Sequence, residues 1–218
     1  MFISKNGGEW TEWDYSAVSL ADGEKLEVYG TEFRNIDYNG YYAFDLTGKI
    51  KISGDLVALN NGKIYMTRYN YCYIFKEAKG LIDASDLIFS NNTAERCYES
   101  MFYGCTNLVN APKKLPAMDA SPGCYSDMFY GCTALTKAPE ILAKTMSYLC
   151  CEYMFNECTS LVEVPEILPA TTIGRQCYAQ MFRGCTALTK APNLSATILA
   201  ERCCAAMFER CTSLVSAP

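Results

Sequence analysis

Apolar and polar positions along the second two-thirds of the chain recur at a near-constant interval. Met-Phe pairs mark it: Met101-Phe102, Met128-Phe129, Met154-Phe155, Met181-Phe182 and Met207-Phe208, at steps of 27, 26, 27 and 26. A cysteine stands four residues before each Met (Cys97, Cys124, Cys150, Cys177, Cys203) and another four after it (Cys105, Cys132, Cys158, Cys185, Cys211). Thr follows at once (Thr106, Thr133, Thr159, Thr186, Thr212), and a leucine two residues later (Leu108, Leu135, Leu161, Leu188, Leu214). Each copy then reaches Ala-Pro or, once, Val-Pro, from Ala111-Pro112 to Ala217-Pro218. One such copy is too small to bury its own apolar face, so neighbouring copies must stack.

Within a copy, Cys177, Met181 and Cys185 fall at i, i+4 and i+8, with Phe182 near the same face. That stripe predicts a short helix of about two turns. Gly184 suits a chain leaving the helix, as do Gly104 and Gly131 in their copies. Leu188–Ala191 then predicts a very short strand, which Pro192 ends. A Pro-rich return such as 166–171 leads to the next helix, and strands of successive coils pair in parallel at roughly 4.8 Å. A degenerate sixth copy precedes the five: Phe75 lies one repeat step before Phe102, with Ala78, Leu81 and Ala84 in register, as a capping copy over 73–96 would have it. The chain stops at Pro218 within a consensus copy. We therefore expect the repeats to continue in the native protein, or another surface to cover that end.

Residues 1–72 differ. Asp22-Gly23, Asn39-Gly40 and Asn61-Gly62 are hairpin signals, with a Thr47-Gly48 turn besides. Strand-like segments lie at 25–30, 33–38, 41–46, 49–53, 56–59 and 63–73; Lys49–Ser53 alternates polar and apolar residues. The expectation is a small antiparallel β domain, a sandwich or compact meander, joined rigidly to the repeats.

The segment Cys177-Tyr178-Ala179-Gln180-Met181-Phe182-Arg183-Gly184-Cys185-Thr186-Ala187-Leu188-Thr189-Lys190-Ala191-Pro192 resembles the BspA-like leucine-rich repeats of Bacteroides-type surface proteins. The resemblance covers about residues 73–218. It implies an α/β fold class, a right-handed leucine-rich-repeat solenoid over 97–218 behind its capping copy. It further implies a bacterial surface location, no catalytic residues, and a role in adhesion to host proteins or other cells. Related repeats also occur in phage-encoded and parasite proteins.

Composition narrows this only a little. Half the residues are apolar, a fifth are charged, and the net charge is −5. Without a basic block to neutralise phosphates, nucleic-acid binding is not expected. No apolar run approaches the roughly 18–20 residues that span a bilayer, and residues 1–5 lack a signal-peptide core. Either the protein is not exported, or its leader lies outside this sequence. Histidine is absent, which removes the commonest general base and metal ligand.

The thirteen cysteines have three readings. They can be small core residues with free thiols. They can form disulfides between coils, though helical partners eight residues apart within one copy lie about 12 Å apart, too far to bridge. They can bind zinc, against which stands the lack of any Cys-x-x-Cys pair. Free core thiols are the expectation, with no metal or cofactor. Cys151 and Cys204 occupy the column held elsewhere by Tyr98, Tyr125 and Tyr178.

Between the repeat Leu and Ala lie two outward columns. The first is Val109, Thr136, Val162, Thr189 and Val215; the second is Asn110, Lys137, Glu163, Lys190 and Ser216. The second is either a self-neutralising ladder or a mixed-charge strip that contacts a protein partner. The aromatics of 1–72, among them Trp10, Trp13, Tyr38 and Tyr41, either fill a small core or stack on sugars. The leading function is thus non-enzymatic binding of a protein, whether host matrix or another cell-surface protein. A carbohydrate-binding accessory role through the β domain, a phage or virion receptor-binding role, and a structural spacer remain as alternatives.

Overall fold

A computed structural model describes residues 2–12, 16, 18–19, 21, 24–29, 44, 46, 48–59 and 66–216. Its regular elements are mostly strands, with almost no helix. The hairpin signals at 22–23, 39–40 and 61–62 and the segments 33–38 and 41–43 lie outside the described residues.

β1 (Phe2–Lys5) pairs antiparallel with β2 (Thr11–Glu12) on one side and β3 (Leu26–Tyr29) on the other. Lys5 Nζ and Glu24 close this sheet's end at 2.7 Å. β4 (Ile50–Asp55) departs from the expected antiparallel arrangement, because it pairs in parallel with β5 (Leu81–Ile88). Phe44 N–H also donates to Ile74 O, and the Phe44 and Phe75 rings stack at 5.7 Å. The repeat-like pairing therefore reaches upstream of residue 73. Gly80 permits the approach, since a Cβ there would lie 2.4 Å from Leu46 O. Leu56–Leu59, expected to be a strand, is a single helical turn, α1.

The expected helix of each copy is not formed. In 94–105 alternate N–H groups donate three residues back, as Cys97 to Ala94 O, Met101 to Tyr98 O and Cys105 to Phe102 O, at 3.1–3.2 Å. The others cross to the next copy: Tyr98 to Cys124 O, Phe102 to Met128 O and Gly104 to Tyr130 O, at 2.8–3.0 Å. Arg96, Ser100 and Gly104 have φ of 54°, 53° and 69°. A left-handed residue at every fourth position ends each turn before an i→i−4 bond closes, and swings one peptide toward the neighbour. The result is a run of overlapping four-residue turns. It brings i, i+4 and i+8 to one side as a helix does, which is why the apolar stripe reads as helical.

The strands lie elsewhere than expected. Leu188–Ala191 is not a strand; Lys190 makes only a one-residue bridge to Ser216. Regular strands form in the return after each Pro. β6 (Lys114–Leu115) pairs with β8 (Glu140–Ile141), and β10 (Ile167–Leu168) with β12 (Asn193–Leu194). β7 (Asp119–Ala120), β9 (Thr145–Met146), β11 (Thr172–Ile173) and β13 (Ile198–Leu199) form one parallel four-stranded sheet in the order β13-β11-β9-β7. Every one of these pairings keeps the repeat step of the sequence, as Asp119 opposite Thr145 and Thr145 opposite Thr172.

The core is a set of residue files. Phe75, Phe102, Phe129, Phe155, Phe182 and Phe208 stack ring on ring with centroids 5.2–5.7 Å apart and planes within 11°. Tyr71, Tyr98 and Tyr125 form a second file at 5.8–5.9 Å. Leu108, Leu135, Leu161 and Leu188 are fully buried, and both cysteine columns are buried throughout; in the last copy Phe208 and Leu214 are partly uncovered. The degenerate copy contributes too, with Ala78, Leu81 and Ala84 sealed in the same core.

Candidate functional site

The predicted strip is held by the backbone. One-residue parallel bridges run from Asp83 to Asn110, on to Lys137 and on to Glu163, and separately from Lys190 to Ser216. Asp83 thus adds a position upstream, which the sequence signals by placing it one repeat step before Asn110. All five predicted strip residues are exposed. Lys137 Nζ meets Glu163 Oε2 at 2.9 Å, and this partner raises the Lys137 ammonium above its usual range. Lys190 does not continue the expected alternation, for its nearest carboxylate is Glu166, at 4.0 Å. Asn110 Nδ2 donates to Asp83 Oδ2 at 3.1 Å. Lys51 and Lys113 bond Asp86 at 2.8 and 3.0 Å and draw its carboxyl down to about 2.

Beside the charges runs the β-branched column, and its valines are open to solvent: Val109 42%, Val162 48% and Val215 85% exposed. Thr136 and Thr189 between them are exposed as well. The valines alternate with these threonines along a column that the charged residues flank.

A second polar group sits on another side of the turns. Arg96 bonds Glu99, Cys72 Sγ lies 3.9 Å from Glu99 Oε2, and Ser126 Oγ donates to Asp127 at 2.8 Å. Burial raises the carboxyls of Glu99 and Asp127, and it raises that of Glu152, with help from Asp127, to about 7. Burial also raises the Cys72 thiol, and the Glu99 charge pushes it the same way.

All thirteen cysteines are free. The two columns differ in environment, a difference that the repeat spacing does not carry. In the later column each S–H donates to the phenylalanine carbonyl of the copy before, as Cys132 to Phe102 O and Cys158 to Phe129 O at 3.1 Å. In the earlier column sulfur meets sulfur, with Cys124 and Cys150 Sγ 3.5 Å apart. Burial opposes ionisation of Cys150. Hydrogen bonds from Cys124, Cys151 and Cys177 act in the opposite direction and favour the ionised form.

Among the described residues no three His, Cys, Asp or Glu side chains are arranged to hold a metal ion, and no helix is long and apolar enough to cross a membrane. Trp13, Tyr38 and Tyr41, candidates for sugar stacking, lie outside the described residues; Trp10 is half exposed. Comparisons of the chain with family models, with curated proteins and with solved structures found no match.

Proposed function

We propose that the chain is a right-handed leucine-rich-repeat solenoid of the BspA-like kind. We further propose that it works without catalysis, as a protein-binding or adhesion module at a bacterial cell surface. The observation that carries this reading is the register of the exposed strip. Backbone bridges hold Asn110, Lys137 and Glu163 in line beside the open valines Val109 and Val162. A surface fixed in this way loses little conformational freedom on binding, and that lowers the ordering cost of association. Buried thiols held protonated, such as Cys132, are poor nucleophiles, which favours binding over covalent catalysis. A protein partner fits a mixed apolar and charged file better than a glycan does.

The test is a solid-phase assay of the full chain against a panel of host matrix proteins. It compares wild type with the combined variant Lys137→Ser, Glu163→Ser and Lys190→Ser. The reading expects saturable binding that the variant loses, while its melting temperature stays within about 2 °C, because exposed substitutions cost little. Undiminished binding by the variant would remove the strip from the interface.

A further inference from the structure

The repeat symmetry is broken at one buried place. Cys151 replaces the tyrosine that Tyr98, Tyr125 and Tyr178 supply in other copies, and Cys204, which replaces it in the last copy, is only half-buried. In the same copy Met146 stands in the strand column that Ala120, Ile173 and Leu199 fill elsewhere. The two departures meet. Met146 Sδ lies 3.9 Å from Cys151 Sγ and 3.7 Å from Cys177 Sγ. The Cys151 and Cys177 thiols interact with each other and with Cys150, whose Sγ lies 4.0 Å from Cys151 Sγ. All three side chains are within 1% of complete burial.

We propose that Cys151, Cys177 and Met146 form a three-sulfur site for a soft monovalent d10 cation of the copper(I) class. Thiolate and thioether ligands select such ions. Three sulfurs in a plane at about 2.3 Å from a central ion stand about 4 Å from one another, close to the spacing present here. This ligand set has two thiols and one thioether, so it differs from a zinc centre of three or four thiol, imidazole or carboxylate ligands. Binding converts the two thiols to thiolates and releases two protons to solvent, leaving one net negative charge at the site. A second observation points the same way. The hydroxyls of Tyr98, Tyr125 and Tyr178 are buried and have no hydrogen-bond partner, and those of Tyr125 and Tyr178 belong to the copies on either side of Cys151. The Tyr178 hydroxyl is near enough for charge on Cys151 or Cys177 to act on it. Unused buried donors are uncommon, and donors around a metal-bound thiolate stabilise its charge.

The test uses the reduced full chain without oxygen, both as purified and after refolding, against copper(I) held by bicinchoninate. Cys151→Tyr and Met146→Ile each restore the residue of a neighbouring copy, so both keep a side chain that the fold accepts. Cys132→Ala, in the column whose thiols bond carbonyls, is the control. The expected result is one copper(I) retained per wild-type chain and per control chain, with X-ray absorption showing sulfur ligands only. Each restoring variant is expected to retain the ion at least tenfold more weakly. Failure of wild type to take copper in either preparation would overturn the proposal. Equal retention by wild type and both restoring variants would overturn it too, by assigning the ion to other thiols.

Discussion

At the scale of single residues, the buried polar groups give the sharpest expectations. Tyr125 is fully buried and its hydroxyl is unpartnered, so Tyr125→Phe removes a desolvated group without removing a bond. We expect the metal-free chain to gain roughly 1 kcal/mol, read from the urea midpoint; a loss would reveal a partner for the hydroxyl. Glu152 gives a pH signature. Its carboxyl rises from an ordinary value of about 4.3 to about 7 in the folded chain. Between those values the folded state holds a proton that the unfolded state has released. Its contribution therefore falls as pH rises through that window and is flat above it. Glu152→Gln should narrow the stability difference between pH 5 and pH 8 in urea titrations; an unchanged difference would place the titration elsewhere. The sequence shows which residues fill each column but not these environments. Nothing in Cys-x(7)-Cys distinguishes a thiol that faces a carbonyl from one that faces another thiol.

At the scale of elements, the apolar stripe is legible in the sequence and its backbone is not. Cys177, Met181 and Cys185 recur every four residues, and two conformations satisfy that spacing. An α-helix does so, and so does a run of turns with a left-handed residue at every fourth position. The deciding feature is the set of positive φ values at Gln176, Gln180 and Gly184. Only Gly184 announces one through its residue type. Two substitutions separate the conformations by sign. Gly131 has φ 68°, and a Cβ there would meet only Gly104 Cα at an ordinary 3.9 Å, so Gly131→Ala adds backbone strain alone and should cost about 1 kcal/mol. Ala206, exposed at φ 52°, should gain about as much when changed to Gly. In a helix both signs would reverse, so equilibrium unfolding of the two variants decides the matter. The strands escape the sequence for a related reason. Pro192 suits the end of a ladder, yet β12 begins at the next residue, where a residue without an N–H leaves the following pairing untouched.

At the scale of the whole molecule, the repeat interval is the strongest signal in the sequence, and it also sets the register of the parallel pairs and of the phenylalanine file. The upstream reach of the pairing through Phe44 and β4 is not legible. One repeat step before Phe75 falls on Gly48 or Lys49 rather than on Phe44, and no Cys-Met-Phe pattern marks the segment. A file of rings shared among copies makes each ring a contact for two neighbours. Phe155, fully buried between Phe129 and Phe182, is such a ring. Phe155→Ala should cost about 3–5 kcal/mol, whereas Phe208→Ala, in the partly uncovered last copy, should cost less. Chemical denaturation compares the two, and equal losses would argue against a directional stack. The central claim is that each copy packs on the copy before and the copy after it. Ring-to-ring nuclear Overhauser effects among selectively labelled phenylalanines test this most directly. The account predicts cross-peaks linking Phe102 to Phe129, Phe129 to Phe155 and Phe155 to Phe182, at the 5.2–5.5 Å separations found here. Missing links in that series, or cross-peaks joining Phe102 directly to Phe182, would contradict it.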